Sequence, residues 1–86
     1  MRKTARVESS GIGMEVWSTE PGVQFYDGGS MRSVTGRGGQ TYGPHSGLCL
    51  EPQRFPDSPN QPGFTDCALY PGQVYRQITE YRFDVA

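Results

Sequence analysis

Along the chain, apolar and polar residues alternate in short runs broken by glycine and proline, and nowhere do they recur at helical spacing over a helix's length. Thr4 to Glu8 places Ala5 and Val7 on one face of a strand, and Ser9-Ser10-Gly11 then supplies turn residues. Gly13 to Thr19 alternates again, with Met14 and Val16 opposite Glu15 and Trp17. The pair predicts a hairpin whose second strand is apolar enough on both sides to be covered on two faces. After Glu20-Pro21-Gly22, a turn or bulge, Val23 to Tyr26 reads as a third strand, with Val23 and Phe25 opposite Gln24 and Tyr26. Asp27 to Gly43 is glycine-rich and reads as a flexible surface excursion. Gly47 to Glu51 is a fourth strand, with Leu48 and Leu50 on one face and Cys49 and Glu51 on the other. Pro52, Pro56, Pro59 and Pro62 fix φ and remove backbone donors, so Pro52 to Gly63 is expected to be an ordered irregular loop. Phe64 to Tyr70 is a candidate fifth strand, and Pro71-Gly72 fits the central positions of a type II turn. Gln73 to Val85 is the longest alternating run. Its Tyr75, Tyr81, Phe83 and Val85 side is expected to pack on a core, and its Val74, Arg76, Ile78, Glu80, Arg82 and Asp84 side to face water. The expected class is all-β and antiparallel, with five or six strands and no long helix.

Composition narrows the picture. A chain of 86 residues permits one domain with a small core. A domain of this size buries only about 60% of its unfolded surface, and a mean hydropathy of −0.64 thins the core further. The formal net charge is −1 with both signs scattered, which leaves no footprint for nucleic acid or an anionic membrane. No segment is long and apolar enough to span a bilayer as a helix. Arg2, Lys3 and Arg6 precede no apolar stretch, so no signal peptide is expected. Cys49 and Cys67 are expected to be reduced, partly buried thiols, because disulfide-stapled small domains usually carry more than one bridge. With no sign of secretion, a cytoplasmic protein is expected.

The candidate chemistry centres on Glu51, a carboxylate at the end of a short apolar strand and at the start of a rigid proline-rich loop. Taken from the residues alone it reads as a solvated glutamate, since most are. Its distances to Asp57 and Glu20 do not follow from the spacing. His45, the sole histidine, would form with Cys49 and Cys67 a metal set lacking a fourth ligand, so neither metal nor cofactor is expected. The glycine-rich loop lacks the phosphate-binding patterns, and no nucleophile elbow is present. Trp17, Tyr26, Tyr42, Phe55 and Phe64 suit either stacking on sugar C–H surfaces or ordinary core packing.

Several longer stretches occur in a familiar order: Glu15-Val16-Trp17-Ser18-Thr19-Glu20-Pro21-Gly22-Val23-Gln24-Phe25-Tyr26, His45-Ser46-Gly47-Leu48-Cys49-Leu50-Glu51-Pro52-Gln53, Phe55-Pro56-Asp57-Ser58-Pro59-Asn60-Gln61-Pro62 and Leu69-Tyr70-Pro71-Gly72-Gln73-Val74-Tyr75. Together they resemble the galactose mutarotases (aldose 1-epimerases) over nearly the whole chain. Proteins of that family are several times longer, so residues 1–86 are expected to be a single C-terminal piece of such a protein. The resemblance implies a large antiparallel β-sandwich with an aldose such as galactose or glucose bound on a concave face. It implies acid–base ring opening that interconverts the α and β anomers, with Glu51 as the general base and Gln24 as a sugar contact. The family's general acid is a histidine from an upstream segment that has no match here, and His45 does not correspond to it. Asp27-Gly28-Gly29-Ser30-Met31 also replaces the family's usual Thr-Gly-Asn-Phe-like sequence. Three readings therefore stand: an epimerase fragment, a small carbohydrate-binding module without turnover, and a structural β module associating through an open sheet edge. A homo-oligomer or a separate N-terminal portion is the expected protein partner.

Overall fold

The computed structural model describes all 86 residues. Its strands are β1 (Arg2–Ser9), β2 (Ile12–Ser18), β3 (Gly22–Tyr26), β4 (Val34–Thr35), β5 (Thr41–Tyr42), β6 (Cys49–Gln53) and β7 (Thr79–Val85). Every pairing is antiparallel, and the only helical backbone is two single 3₁₀ turns at Arg37–Gly39 and Ser58–Asn60. The protein is all-β, as its alternation predicts. The strands form a three-stranded sheet in the order β1-β2-β7 and two separate ladders, β3-β6 and β4-β5.

The β1–β2 hairpin closes through Ser10 (φ 53°) and Gly11 (φ 80°), the left-handed pair that a two-residue hairpin turn requires. The register shifts between Lys3 and Ala5, and the Thr4 hydroxyl there donates to the Val16 carbonyl at 3.1 Å. β2 is the central strand, paired along both edges, and Val16 is fully buried. On the charged face, Arg6 of β1 reaches over β2 to Asp84 of β7 at 2.9 Å. The path is open because residue 13 is glycine. A Cβ there would lie 2.2 Å from the Asp84 carboxylate and 2.3 Å from the Arg6 guanidinium. Beside this bridge, the Arg82 guanidinium stacks 4.0 Å from the Trp17 ring centre.

Several expectations are corrected. Residues 64–70 form no strand: the segment pairs with none of the open sheet edges. The last strand begins at Thr79 rather than Gln73, since its partner β2 ends at Ser18 opposite Thr79. The fourth strand starts at Cys49 and runs through Pro52 to Gln53. β6 has a single partner, and proline is tolerated in such an edge strand. The glycine-rich excursion contains the small β4–β5 ladder. Cys49 and Cys67 are free, but both are exposed rather than partly buried. The aromatic side of β7 is not packed on a core: Tyr81, Phe83 and Val85 are all exposed. Pro71-Gly72 does form the expected turn, with Gly72 at φ 88° and the Gln73 N–H donating to the Tyr70 carbonyl at 3.0 Å.

The molecule is open. Its radius of gyration is 16.6 Å, against about 12 Å for a compact chain of this length. Its accessible surface is 6625 Å², against about 5,000 Å² for a compact monomer of this mass. Only six residues are buried, and Val16 is the one large apolar side chain among them.

Candidate functional site

The β3–β6 ladder carries the candidate residues. Its register pairs Gly22 with Gln53, Val23 with Pro52, Gln24 with Glu51, Phe25 with Leu50 and Tyr26 with Cys49. Gln24 and Glu51 thus stand directly opposite each other, and directly opposed residues project their side chains to the same face of a ladder, with Cβ atoms about 5 Å apart. Strand alternation adds Tyr26 and Cys49 to that face and sends Val23, Phe25, Leu50 and Pro52 to the other. The result is a carboxylate and a carboxamide side by side, with a phenol ring on the next same-face rung. Gln24, Glu51 and Tyr26 are all exposed. Glu51 therefore stands on an open face of this chain. The Gln24 carboxamide makes only a long 3.4 Å contact to the Phe25 carbonyl, which leaves it available to a hydroxyl.

Next to this face, Tyr26, Met31, Tyr42, Leu48 and Cys49 line a shallow hollow of about 280 Å³. A larger cleft of about 650 Å³ lies between Arg54, residues 66–69 and residues 73–76, and neither Gln24 nor Glu51 lines it. The largest cavity and the candidate chemistry are therefore separate, and the ladder is the better site because it sets a carboxylate beside a nearly unengaged carboxamide on an exposed face.

The remaining candidates fall elsewhere. Asp57 is occupied within its own loop, accepting hydrogen bonds from the Asn60 and Gln61 carboxamides at 2.7 and 2.8 Å. Those donors hold its carboxyl below the usual range. His45 (φ 62°) sits in the turn before β6, with Nδ1 3.5 Å from an Asp27 oxygen, and both side chains are exposed. Trp17 belongs to the three-stranded sheet, where its indole N–H donates to Glu15 at 2.9 Å. Phe55 and Phe64 pack on each other with ring centres 5.3 Å apart. Of the five aromatic candidates, Tyr26 lies on the Gln24–Glu51 face, and Tyr42 joins it in the adjoining hollow.

One cluster escapes sequence reasoning. Glu20 is almost wholly buried, and its two carboxylate oxygens accept from the Arg54 guanidinium and the Tyr75 hydroxyl. Its backbone N–H donates to the Ser18 hydroxyl at 3.0 Å. The Glu20 hydrogen bond pushes the Tyr75 hydroxyl pKa up. The pairing links residues 34 and 55 apart, so no local pattern announces it.

These features define an antiparallel β protein with a polar, aromatic-flanked strand face. The sequence profile of the family described as Aldose 1-epimerase matches residues 3–82, and the chain belongs to that family. The galactose mutarotase of Mus musculus is 48% identical over 82 residues, covering 94% of this chain and 24% of the relative. That of Homo sapiens is 46% identical over 79 residues, covering 91% and 23%. The aldose 1-epimerase of Escherichia coli (strain K12) is 42% identical over 72 residues, covering 81% and 21%. The chain thus spans about a quarter of the length of the curated relatives it matches.

Proposed function

We propose that residues 1–86 are the C-terminal part of an aldose 1-epimerase that interconverts the α and β anomers of a sugar such as galactose or glucose. Glu51 acts as general base on the anomeric hydroxyl, and Gln24 orients the sugar through its hydroxyls. Tyr26 offers a ring face to the sugar's C–H surface. The observation that carries this reading is the Gln24–Glu51 rung: two residues 27 positions apart meet on one exposed face. Opening the ring also requires a proton on the ring oxygen, and a positioned acid typically contributes about 10²–10⁴-fold. His45 is engaged with Asp27 in a turn, so a histidine from an N-terminal portion of the protein, or from another chain, supplies that proton. The excess surface of this open molecule supports its being one part of a larger sandwich.

Polarimetry of freshly dissolved α-D-glucose tests the proposal. The isolated chain is expected to accelerate mutarotation weakly or not at all. The chain joined to its N-terminal portion is expected to be active, and Glu51→Gln there to lose most of the activity. Full activity from the isolated chain would defeat the role given to a separate acid, and full activity of Glu51→Gln would remove Glu51 from the mechanism. A second reading, a sugar-binding module without turnover, is favoured by the exposure of Gln24 and Glu51 on an open ladder face, which offers hydroxyl contacts without an enclosing pocket. Galactose-dependent shifts of the Gln24 carboxamide with no mutarotation in the joined protein would select it.

A further inference from the structure

A two-stranded ladder is marginal in water by itself, and β3–β6 has no third strand. Slipping it by one residue would set Glu51 opposite Val23 or Phe25 and turn the carboxylate away from Gln24. Something outside the ladder must hold its register. The Glu20 cluster lies just beyond the Gly22–Gln53 rung that ends it: Glu20 precedes β3 by two residues, and Arg54 follows β6 directly. We infer that the ion pair between buried Glu20 and half-buried Arg54 is a register lock that positions Glu51 opposite Gln24.

Three observations converge on this. Glu20 is 2% exposed and both its carboxylate oxygens are used, so the pair has a defined partner set rather than a surface rotamer choice. Arg54 is anchored twice, because its Nε also donates to the Asp66 carbonyl at 3.2 Å. The Phe55 ring lies over Gly22, where a Cβ would sit 2.6 Å from it, so the same end of the ladder is fixed by close packing that only glycine allows. A shift of one rise along either strand, about 3.3 Å, would pull the guanidinium off the carboxylate and move the ring off the glycine. Arg54 and Glu20 are positioning residues: they act on the sugar through the placement of Glu51. That consequence for catalysis rests on the function proposed above, whereas the lock itself does not.

The test is NMR on the isotopically labelled chain, with Arg54→Met and Glu20→Gln as variants. The wild type is expected to show cross-strand contacts between Gln24 and Glu51. Each variant is expected to lose them and to exchange its β3 and β6 amides at least about tenfold faster, while the β1–β2–β7 amides keep their rates. Arg54→Lys keeps the charge but not the fork, so it should recover part of the protection, and it is the variant to read if Arg54→Met unfolds the whole chain. Unchanged β3–β6 exchange and intact Gln24–Glu51 contacts in Arg54→Met and Glu20→Gln would overturn the lock, as would Arg54→Lys exchanging like wild type if it is the variant read. In the protein joined to its N-terminal portion, Arg54→Met should lower kcat by about 10²-fold through misplacement of the base, with a smaller effect on KM. Absence of any galactose response in the unsubstituted joined protein would defeat the proposed function and leave the exchange result standing.

Discussion

Replacing Val16 by alanine should cost this protein a large share of its stability while leaving the candidate site intact. Val16 is the only large apolar side chain fully removed from solvent, and it sits between Ala5 of β1 and Tyr81 of β7. The substitution removes two carbons, worth about 0.8 kcal/mol each in transfer, or roughly 1.6 kcal/mol. The cavity left between three hydrogen-bonded strands cannot close fully, which brings the expected loss to about 2–3 kcal/mol. In a domain of this size such a loss lowers the melting temperature by roughly 10–20 °C. Thermal melts followed by far-UV circular dichroism, with urea titrations, would measure it. The midpoint should fall with the urea slope unchanged, because the surface exposed on unfolding is nearly the same. Gln24 and Glu51 belong to a separate ladder, so their cross-strand contacts should persist in the folded fraction. A melting shift under about 3 °C would refute the argument, since it would mean that burial at Val16 carries little of the sheet's stability.

Three further outcomes are expected. Hydrogen bonds from Arg6 hold the Asp84 carboxyl below the usual range, so its contribution is present above the ordinary carboxylate pKa and lost as pH falls through the lowered folded value. Stability should therefore drop below about pH 4, and Asp84→Asn should lower stability at neutral pH and flatten that acid limb in urea titrations at stepped pH. Gly13→Ala should push the tips of Arg6 and Asp84 apart and lower the urea midpoint only slightly, because both are ends of flexible side chains that can swing aside; a large fall in the midpoint would show that the bridge cannot relax. The outer edge of β7 is unpaired, and Ile12, Tyr81, Phe83 and Val85 are exposed, so light scattering should detect association as concentration rises, unless a compact monomer persists throughout.

Much of the fold was legible because it depends on local rules. Ser9-Ser10-Gly11 and Pro71-Gly72 are turns because their residues suit the required φ, and the first three strands lie within two residues of where alternation places them. The site was legible in part: the family resemblance selects Gln24 and Glu51, and the loop between them allows adjacent strands. What failed depends on partners. Residues 73–78 alternate adequately but lie beyond the end of β2, which stops at Ser18 opposite Thr79, and residues 64–70 alternate without being brought against any open edge. Proline at position 52 argues against a strand only when both edges are paired, and here one is free. The burial of Glu20 was not legible at all, because its partners Arg54 and Tyr75 come from distant segments.

The Arg6–Asp84 bridge joins groups 78 residues apart in a chain of 86. During synthesis the β1–β2 hairpin emerges before any residue of β7, which must close its open side. Until then Met14 and Val16 lack the neighbours that Tyr81 and Phe83 later provide. A topology dominated by such distant pairings folds slowly, because loop closure is costly before the contacts it enables form. The unpaired hairpin is thus an early species with an adhesive edge, and a nascent chain of this kind has most to gain from a chaperone that shields β2 until β7 arrives.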